Sequence, residues 1–345
     1  MLHRGFFKFL ASPFALAVLV LLLCGARSAQ AAPLVLKFAG QNPPDHFATV
    51  SMRDIAKEVE KNTNGRIQIK VFPANQLGDY SLVYEELIRG TIEMAAISFP
   101  SQFDSRMDLI YVHGYTGSYA QVAKVYDPNG WFFKKMDEFN KALGVKLLGM
   151  YLEGMVGMGT VKEMRDPLNP KVDHGVLLRI PNMDVFKTAL EGSKYRTISI
   201  PFADVYQSMQ TGVCDGDTGY SIVAAYTALG DVIKHWYNLN KNTECLGIMI
   251  SAKVWDKLSN DDKKVLQAAV NKQTALSIKN AEANDKKFLE LMRKKGIKVH
   301  TYTTEQLRPL MDAFAATWGQ LDQSKGKELM DEFRKEMKRI SDSTK

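Results

Sequence analysis

The residue type with the most chemistry in this chain is the arginine that ends a short apolar run, Val176-Leu177-Leu178-Arg179, just before Ile180-Pro181. A guanidinium is always charged. Its planar fork of N–H donors matches a carboxylate with two parallel hydrogen bonds. Two groups follow it closely in sequence: a Pro201-Phe202 corner and a polar turn, Cys214-Asp215-Gly216-Asp217-Thr218-Gly219-Tyr220. An arginine at a strand end, with a ring and a polar turn nearby, suits the capture of a small organic anion. Residue type alone also allows Arg179 to pair with a structural acid, the commoner role for such a residue. Phe202 offers a ring face to a ligand body. Asp217 offers an acceptor for a ligand hydroxyl or amine, or a helix cap. Tyr220 offers a hydroxyl or a ring.

Further polar candidates lie just beyond two predicted strands. Asn42 and His46 belong to the loop Gln41–His46 after the apolar strand 34–40. Ser98 and Phe99 follow the strand 94–97. Open sheets bind ligands beyond the carboxyl ends of their strands, so both loops are expected to face a cleft.

The elements that must hold these groups alternate in type. Strand 34–40, helix 47–62, strand 67–72, helix 81–89 and strand 94–97 are separated by Pro-rich or Asn-Gly turns, a βαβ pattern that predicts a mostly parallel sheet. A helix over 131–142 leads to a strand over 145–151. The arginine stretch repeats the pattern: strand 176–180, helix 183–191 stopped by Gly192, strand 196–200, and helix 203–211 closed by Gly212. Helix 221–229 and a strand over 247–251 come next. From Ser259, the expected N-cap, more than thirty residues run without Gly or Pro to about Lys295. A strand over 297–302 and terminal helices from Thr304 complete the chain. The tyrosines at 111, 115, 119 and 126 and Trp131 are irregularly spaced and read as packing residues.

The pattern Leu-Leu-Arg-Ile-Pro, followed by Ile-Pro-Phe-Ala-Asp-Val-Tyr-Gln-Ser-Met-Gln-Thr-Gly-Val-Cys-Asp-Gly, resembles the core signature of the DctP-type solute receptors of TRAP transporters. The blocks Asn64-Gly65-Arg66-Ile67, Gln76-Leu77-Gly78 and Gly90-Thr91-Ile92-Glu93-Met94 are similar to that family too. The resemblance implies an α/β, two-lobe periplasmic-binding-protein fold with a hinge, and a long helix spanning both lobes. It implies that Arg179 holds the ligand carboxylate and that Glu153 opens a ligand-facing step. The expected lobes are 32–153 with 246–285, and 154–245 with 286–345. Two positions depart from the family. Val156 stands where a second arginine is usual in the Glu153–Thr160 segment, and Gly219 stands where a ligand-facing asparagine is usual. The ligand is therefore expected to be a carboxylate such as a dicarboxylate, hydroxy acid or sugar acid, or else a small sulfonate.

Composition sets the wider frame. The chain has 345 residues, 46% hydrophobic and 24% charged, an ordinary globular balance with room for two domains. Residues 1–31 carry Arg4 and Lys8, an apolar run over 10–23 and Ala29-Gln30-Ala31, the layout of a cleaved secretory signal peptide. That segment holds three bases and no acids, so the remainder has 42 bases against 38 acids, or +4. A mild, mixed excess argues against nucleic-acid binding. Cys214 and Cys245 are then an even pair in an exported chain, read either as a disulfide or as two separate thiols. The histidines are scattered, with no zinc, Walker, dinucleotide or nucleophile-elbow motif. The expectation is a monomeric periplasmic receptor with no cofactor and no catalytic role. It would deliver a small organic anion to membrane permease subunits, or report it to a sensor kinase.

Overall fold

The computed structural model describes residues 32–115 and 117–344, so the expected signal peptide and Cys24 lie outside the described residues. One mixed sheet organises the molecule. Its strands are β1 (Leu34–Gly40), β2 (Ile67–Phe72), β3 (Met94–Ile97), β4 (Val145–Thr160), β5 (Leu177–Ile180), β6 (Arg196–Ser199), β7 (Gly216–Asp217), β8 (His235–Ser251) and β9 (Lys298–Thr301). They lie in the order β2-β1-β3-β8-β4-β7-β5-β6, with β9 added to β8.

Two strands are much longer than expected. The strand predicted over 145–151 continues to Thr160, and the one predicted over 247–251 begins at His235. They pair antiparallel from Val145 opposite Ser251 to Thr160 opposite His235, with Asn238–Lys241 of β8 left out of register between Asn242 and Tyr237. The sequence carries glycines at 149, 154, 157 and 159 and polar residues from Asn238 to Glu244, both poor strand formers. Pairing satisfies the backbone of Asn242–Glu244 and of the glycines held in register, so there tertiary structure overrides weak local propensity, whereas Leu239–Lys241 bulge out of the ladder, with Asn240 at φ 48°. Three register shifts interrupt this ribbon, between Leu147 and Gly149, Leu152 and Gly154, and Val156 and Met158.

One end of the ribbon carries the parallel trio β2-β1-β3, joined to β8 at residues 247–250. The other end carries β7-β5-β6, joined to β4 at Gly159 and Thr160. Helix α1 (Phe47–Asn62) buries Ala48, Met52, Ile55 and Val59 at i, i+4, i+7 and i+11, one apolar stripe against the sheet. Helix α2 (Tyr80–Arg89) ends on Gly90 at φ 83°, the left-handed cap that glycine adopts freely. The long helix α3 (Asn260–Lys294) is capped by Ser259, which accepts from the Asp262 amide. It packs along β4 and touches α1 and the helix Ile222–Leu229. Its stripe Leu266, Ala269, Val270, Gln273, Ser277, Ala281, Asp285, Phe288 and Met292 turns from apolar to polar and back where it crosses the bulged middle of β4. The C-terminal helices return to residues 105–135: Lys325 pairs with Asp108 at 2.8 Å, and the Trp131 indole donates to Glu332 at 2.9 Å. Among the described residues no helix is long and apolar enough to cross a membrane.

Candidate functional site

Strand register alone brings the arginine to an acid. Arg179 on β5 lies opposite Asp217 on β7, so the two side chains leave the same face as cross-strand neighbours. Arg179 Nη1 donates to Asp217 Oδ1 at 3.0 Å, and Nε donates to the Ile200 carbonyl at 2.8 Å. Asp217 Oδ2 accepts from the Gly219 amide at 2.8 Å. The arginine is 1% exposed. Burial opposes the charged guanidinium, yet Asp217 beside it holds Arg179 above its usual range. Asp217 is therefore an anchor for the arginine, and the alternative of a helix cap is corrected: Ser221 caps the next helix by accepting from the Ala224 amide. Arg179 Nη2 has no protein partner among the described residues.

Arg179 faces a small, nearly closed cleft with about 10 Å³ free to a water-sized sphere. Pro181, Met183, Phe186, Phe202 and Gly219 line it on the same side of the ribbon as β5, while Tyr80, Ser98 and Glu244 line it from α2, the loop after β3, and β8. The Phe202 ring stacks on Tyr220, with centroids 4.6 Å apart and planes 13° from parallel. The Tyr220 hydroxyl donates back to the Phe202 carbonyl at 3.3 Å. Tyr220 thus backs Phe202, and its hydroxyl is already engaged. The mouth is bridged: the Ala203 amide donates to Asp79 Oδ2 at 3.2 Å, and Ser101 Oγ donates to the Asn182 carbonyl at 3.4 Å.

Ser98 is in the cavity wall. Gln41 Nε2 donates to Ser98 Oγ at 3.0 Å, and Ser98 Oγ donates to Glu244 Oε1 at 2.7 Å. Phe99 is not in the wall. It is fully buried, its amide donates to the Tyr111 hydroxyl at 3.0 Å, and its ring covers Gly247. The reason is alternation: Ser98 faces the cleft, so its neighbour faces the core.

Asn42, His46 and Glu153 form a second buried polar cluster beside this cavity and contribute no wall to it. Asn42 Nδ2 donates to Glu153 Oε1, Ser221 Oγ donates to Glu153 Oε2 at 3.3 Å, and His46 Nε2 lies 3.9 Å from Glu153 Oε1. Burial pushes the Glu153 carboxyl up to about 7 and His46 down to about 3, so His46 is neutral and caps α1 through Nδ1. Glu153 and Glu244 meet across the ribbon, since Gly154 is the register partner of Glu244.

Sequence reading missed Glu244, Tyr80 and Lys241. Burial, with Glu153 nearby, raises the Glu244 carboxyl well above its usual range, against the pull of Arg179. Lys241 is fully buried, with Nζ 2.8 Å from Asn242 Oδ1 and 2.9 Å from His113 Nε2. The signal that would have found Glu244 and Lys241 is β8 itself. Read as a strand from residue 235, its Lys241–Glu244 run becomes buried polar sequence crossing the centre of the molecule.

Two further readings are corrected. Cys214 and Cys245 are separate buried thiols, with no bridge between them. Cys245 is opposite Leu152, whereas the turn holding Cys214 enters the sheet opposite Thr160. Eight residues of strand separate those points by roughly 25 Å, far beyond a disulfide's reach. The histidines are less scattered than the sequence suggests. Strands β8 and β9 bring His235 Nδ1 to 3.2 Å from His300 Nε2 with Glu163 beside them, an approach suited to an N–H···N hydrogen bond, while Glu163 pairs with Lys298 at 2.8 Å.

The family model described as bacterial extracellular solute-binding protein, family 7 (DctP), matches residues 38–324. The chain is 24% identical over 324 residues to the sialic acid-binding periplasmic protein SiaP of Vibrio cholerae, across 91% of this chain and 96% of that one. It is 25% identical over 306 residues to the C4-dicarboxylate-binding periplasmic protein DctP of Rhodobacter capsulatus, across 84% and 89%. Among solved structures it is similar to the sugar acid binding protein of Advenella mimigardefordensis in complex with galactonate. That match has a TM-score of 0.82 at 19% identity, over 89% of this chain and 99% of that one. A TRAP periplasmic solute binding protein of Sulfurospirillum deleyianum with bound succinate matches at TM-score 0.79 and 22% identity, over 88% and 99%.

Proposed function

Because the chain belongs to the bacterial extracellular solute-binding protein family 7, the DctP family, we propose that it captures a small organic carboxylate in the cavity beside Arg179 and hands it to a TRAP membrane permease. The observation that carries this reading is Arg179 itself. It is buried, held charged by Asp217, and has Nη2 unspent at the wall of a cavity that the chain closes over. A charge-assisted hydrogen bond in such a site contributes about 1.5–3 kcal/mol. Phe202, backed by Tyr220, packs against the ligand body.

The working cycle follows from the ribbon. Lobe I comprises residues 32–153 and 246–285, and lobe II residues 154–245 and 286–345. They rock about the bulges of β4 at 147–149, 152–154 and 156–158, with hinge closure burying the ligand. Residues 1–31 direct export to the periplasm. The protein works as a monomer that binds without turning its ligand over.

Isothermal titration calorimetry with a panel of organic acids and sulfonates tests the reading. A carboxylate that binds the wild type and loses at least tenfold in affinity with Arg179→Lys supports it. Equal affinity in the two proteins sinks it.

A further inference from the structure

Arg179 has a counterpart in the cavity wall. Glu244 projects from β8 and is 5% exposed, and its Oε1 is fixed by Ser98, which Gln41 fixes in turn. Its Oε2 has no protein partner among the described residues. The rest of the wall is largely apolar: Pro181, Met183, Phe186 and Phe202. Among the described residues no cation other than Arg179 lines this wall to meet a second ligand carboxylate. Val156 fills the position where the sequence resemblance implies an arginine, and it is fully buried in β4. Lys241 is spent on Asn242 and His113, with its Nζ 4.8 Å from the centre of the Phe186 ring.

We infer that the cleft selects a monocarboxylate whose far end carries a hydrogen-bond donor, a hydroxyl or an ammonium, and that Glu244 is the specificity residue that reads it. This rests on the carboxylate reading of Arg179. A donor reaching Glu244 Oε2 completes a buried acceptor. A second carboxylate in that place sets two acids together in a closed, poorly solvated space, where one must take up a proton. Burial, with Glu153 nearby, raises the Glu244 carboxyl well above its usual range and so favours its protonated form, in which a hydroxyl meets a group that both gives and accepts. An ammonium instead makes Glu244 ionise and give up its proton to solvent.

The test uses the whole protein and three acids matched in length: glutarate, 5-hydroxypentanoate and 5-aminopentanoate. The hydroxy or the amino acid is expected to bind at least tenfold more tightly than glutarate, and which of the two leads identifies the donor. Glu244→Gln, which keeps side-chain size, is expected to shrink that preference to under threefold. If the amino acid leads, calorimetry in two buffers of different ionisation enthalpy should register proton release in the wild type and none in the variant. Glutarate binding as tightly as the others, or an unchanged ranking in Glu244→Gln, overturns the inference and leaves the carboxylate reading standing. Failure of Arg179→Lys to weaken any bound acid overturns the carboxylate reading, and this inference falls with it.

Discussion

Arg179 Nη1 and Asp217 Oδ1 lie 3.0 Å apart on neighbouring parallel strands, both side chains almost fully removed from solvent. The pair makes the arginine a rigid donor. Its Nε and Nη1 are used by Ile200 and Asp217, and its remaining nitrogen is aimed by that fixation. Any substitution here acts on the fold as well as on the ligand.

Arg179→Ala leaves Asp217 buried without its partner, and stranding a buried charge costs about 3–5 kcal/mol. The variant should therefore melt well below the wild type and also lose ligand. Adding Asp217→Asn to Arg179→Ala should restore most of the melting temperature without restoring affinity. Parallel thermal melts and calorimetry check this, and recovered affinity in the double variant would sink the carboxylate role.

Gly219 stands where the resemblance implies an asparagine. A Cβ there would lie 2.7 Å from Arg179 Nη1 and 3.2 Å from Pro181 Cδ. Gly219→Ala should push the guanidinium off Asp217 and weaken ligand binding about tenfold or more, with a stability loss of about 1–3 kcal/mol from overpacking. Calorimetry together with urea unfolding measures both effects.

Gly154 sits in a β4 bulge at φ 142°, and an added Cβ would lie 2.4 Å from Asp285 Oδ1 on α3. Gly154→Ala combines backbone strain with a clash against the long helix, so it should destabilise by at least about 2 kcal/mol. Asp285→Ala removes the clash but not the strained φ. The double variant should then be less destabilised than the sum of the two singles, and urea unfolding of the four proteins gives the answer.

Asp285 also predicts a pH slope. It accepts from the Met155 amide at 2.9 Å and the Tyr119 hydroxyl at 2.5 Å, and burial pushes its carboxyl up to about 7. Its folded value lies above its unfolded one, so its stabilising contribution is complete below about pH 4. It is lost as pH rises toward 7, by at most about 1.4 kcal/mol per pH unit. Glu153 acts in the same direction, and His46, pushed down to about 3, acts in the opposite one. The contribution of Asp285 is therefore read as a difference. The stability of the wild type minus that of Asp285→Asn should fall between pH 4 and 7 and level off above. A difference independent of pH would refute the raised value.

Cys214 and Cys245 should both react with a thiol reagent in denaturant without prior reduction, and both should be protected in the native protein by burial.

Much of the fold was legible because its elements obey local rules. Helix α1 carries an apolar stripe, α2 ends on glycine, and α3 starts at Ser259 with acids in its first turn. The first three strands are short apolar runs between turn residues. The long halves of β4 and β8 were not legible. Their glycines and buried polar residues are poor strand formers, and only pairing with each other makes them strands.

The site divides along the same line. By itself the sequence determined that Arg179 ends a strand, that Phe202 turns a corner, and that Val156 and Gly219 depart from a family pattern. These are properties of residue type and local order. Tertiary structure decided the partners. Parallel register set Asp217 against Arg179, pleat alternation sent Ser98 to the cleft and Phe99 to the core, and β8 carried Glu244 into the wall. Each depends on contacts between segments 38 to 146 residues apart in the chain. At such separations, strand register and burial decide which side chains meet, and no local propensity encodes them.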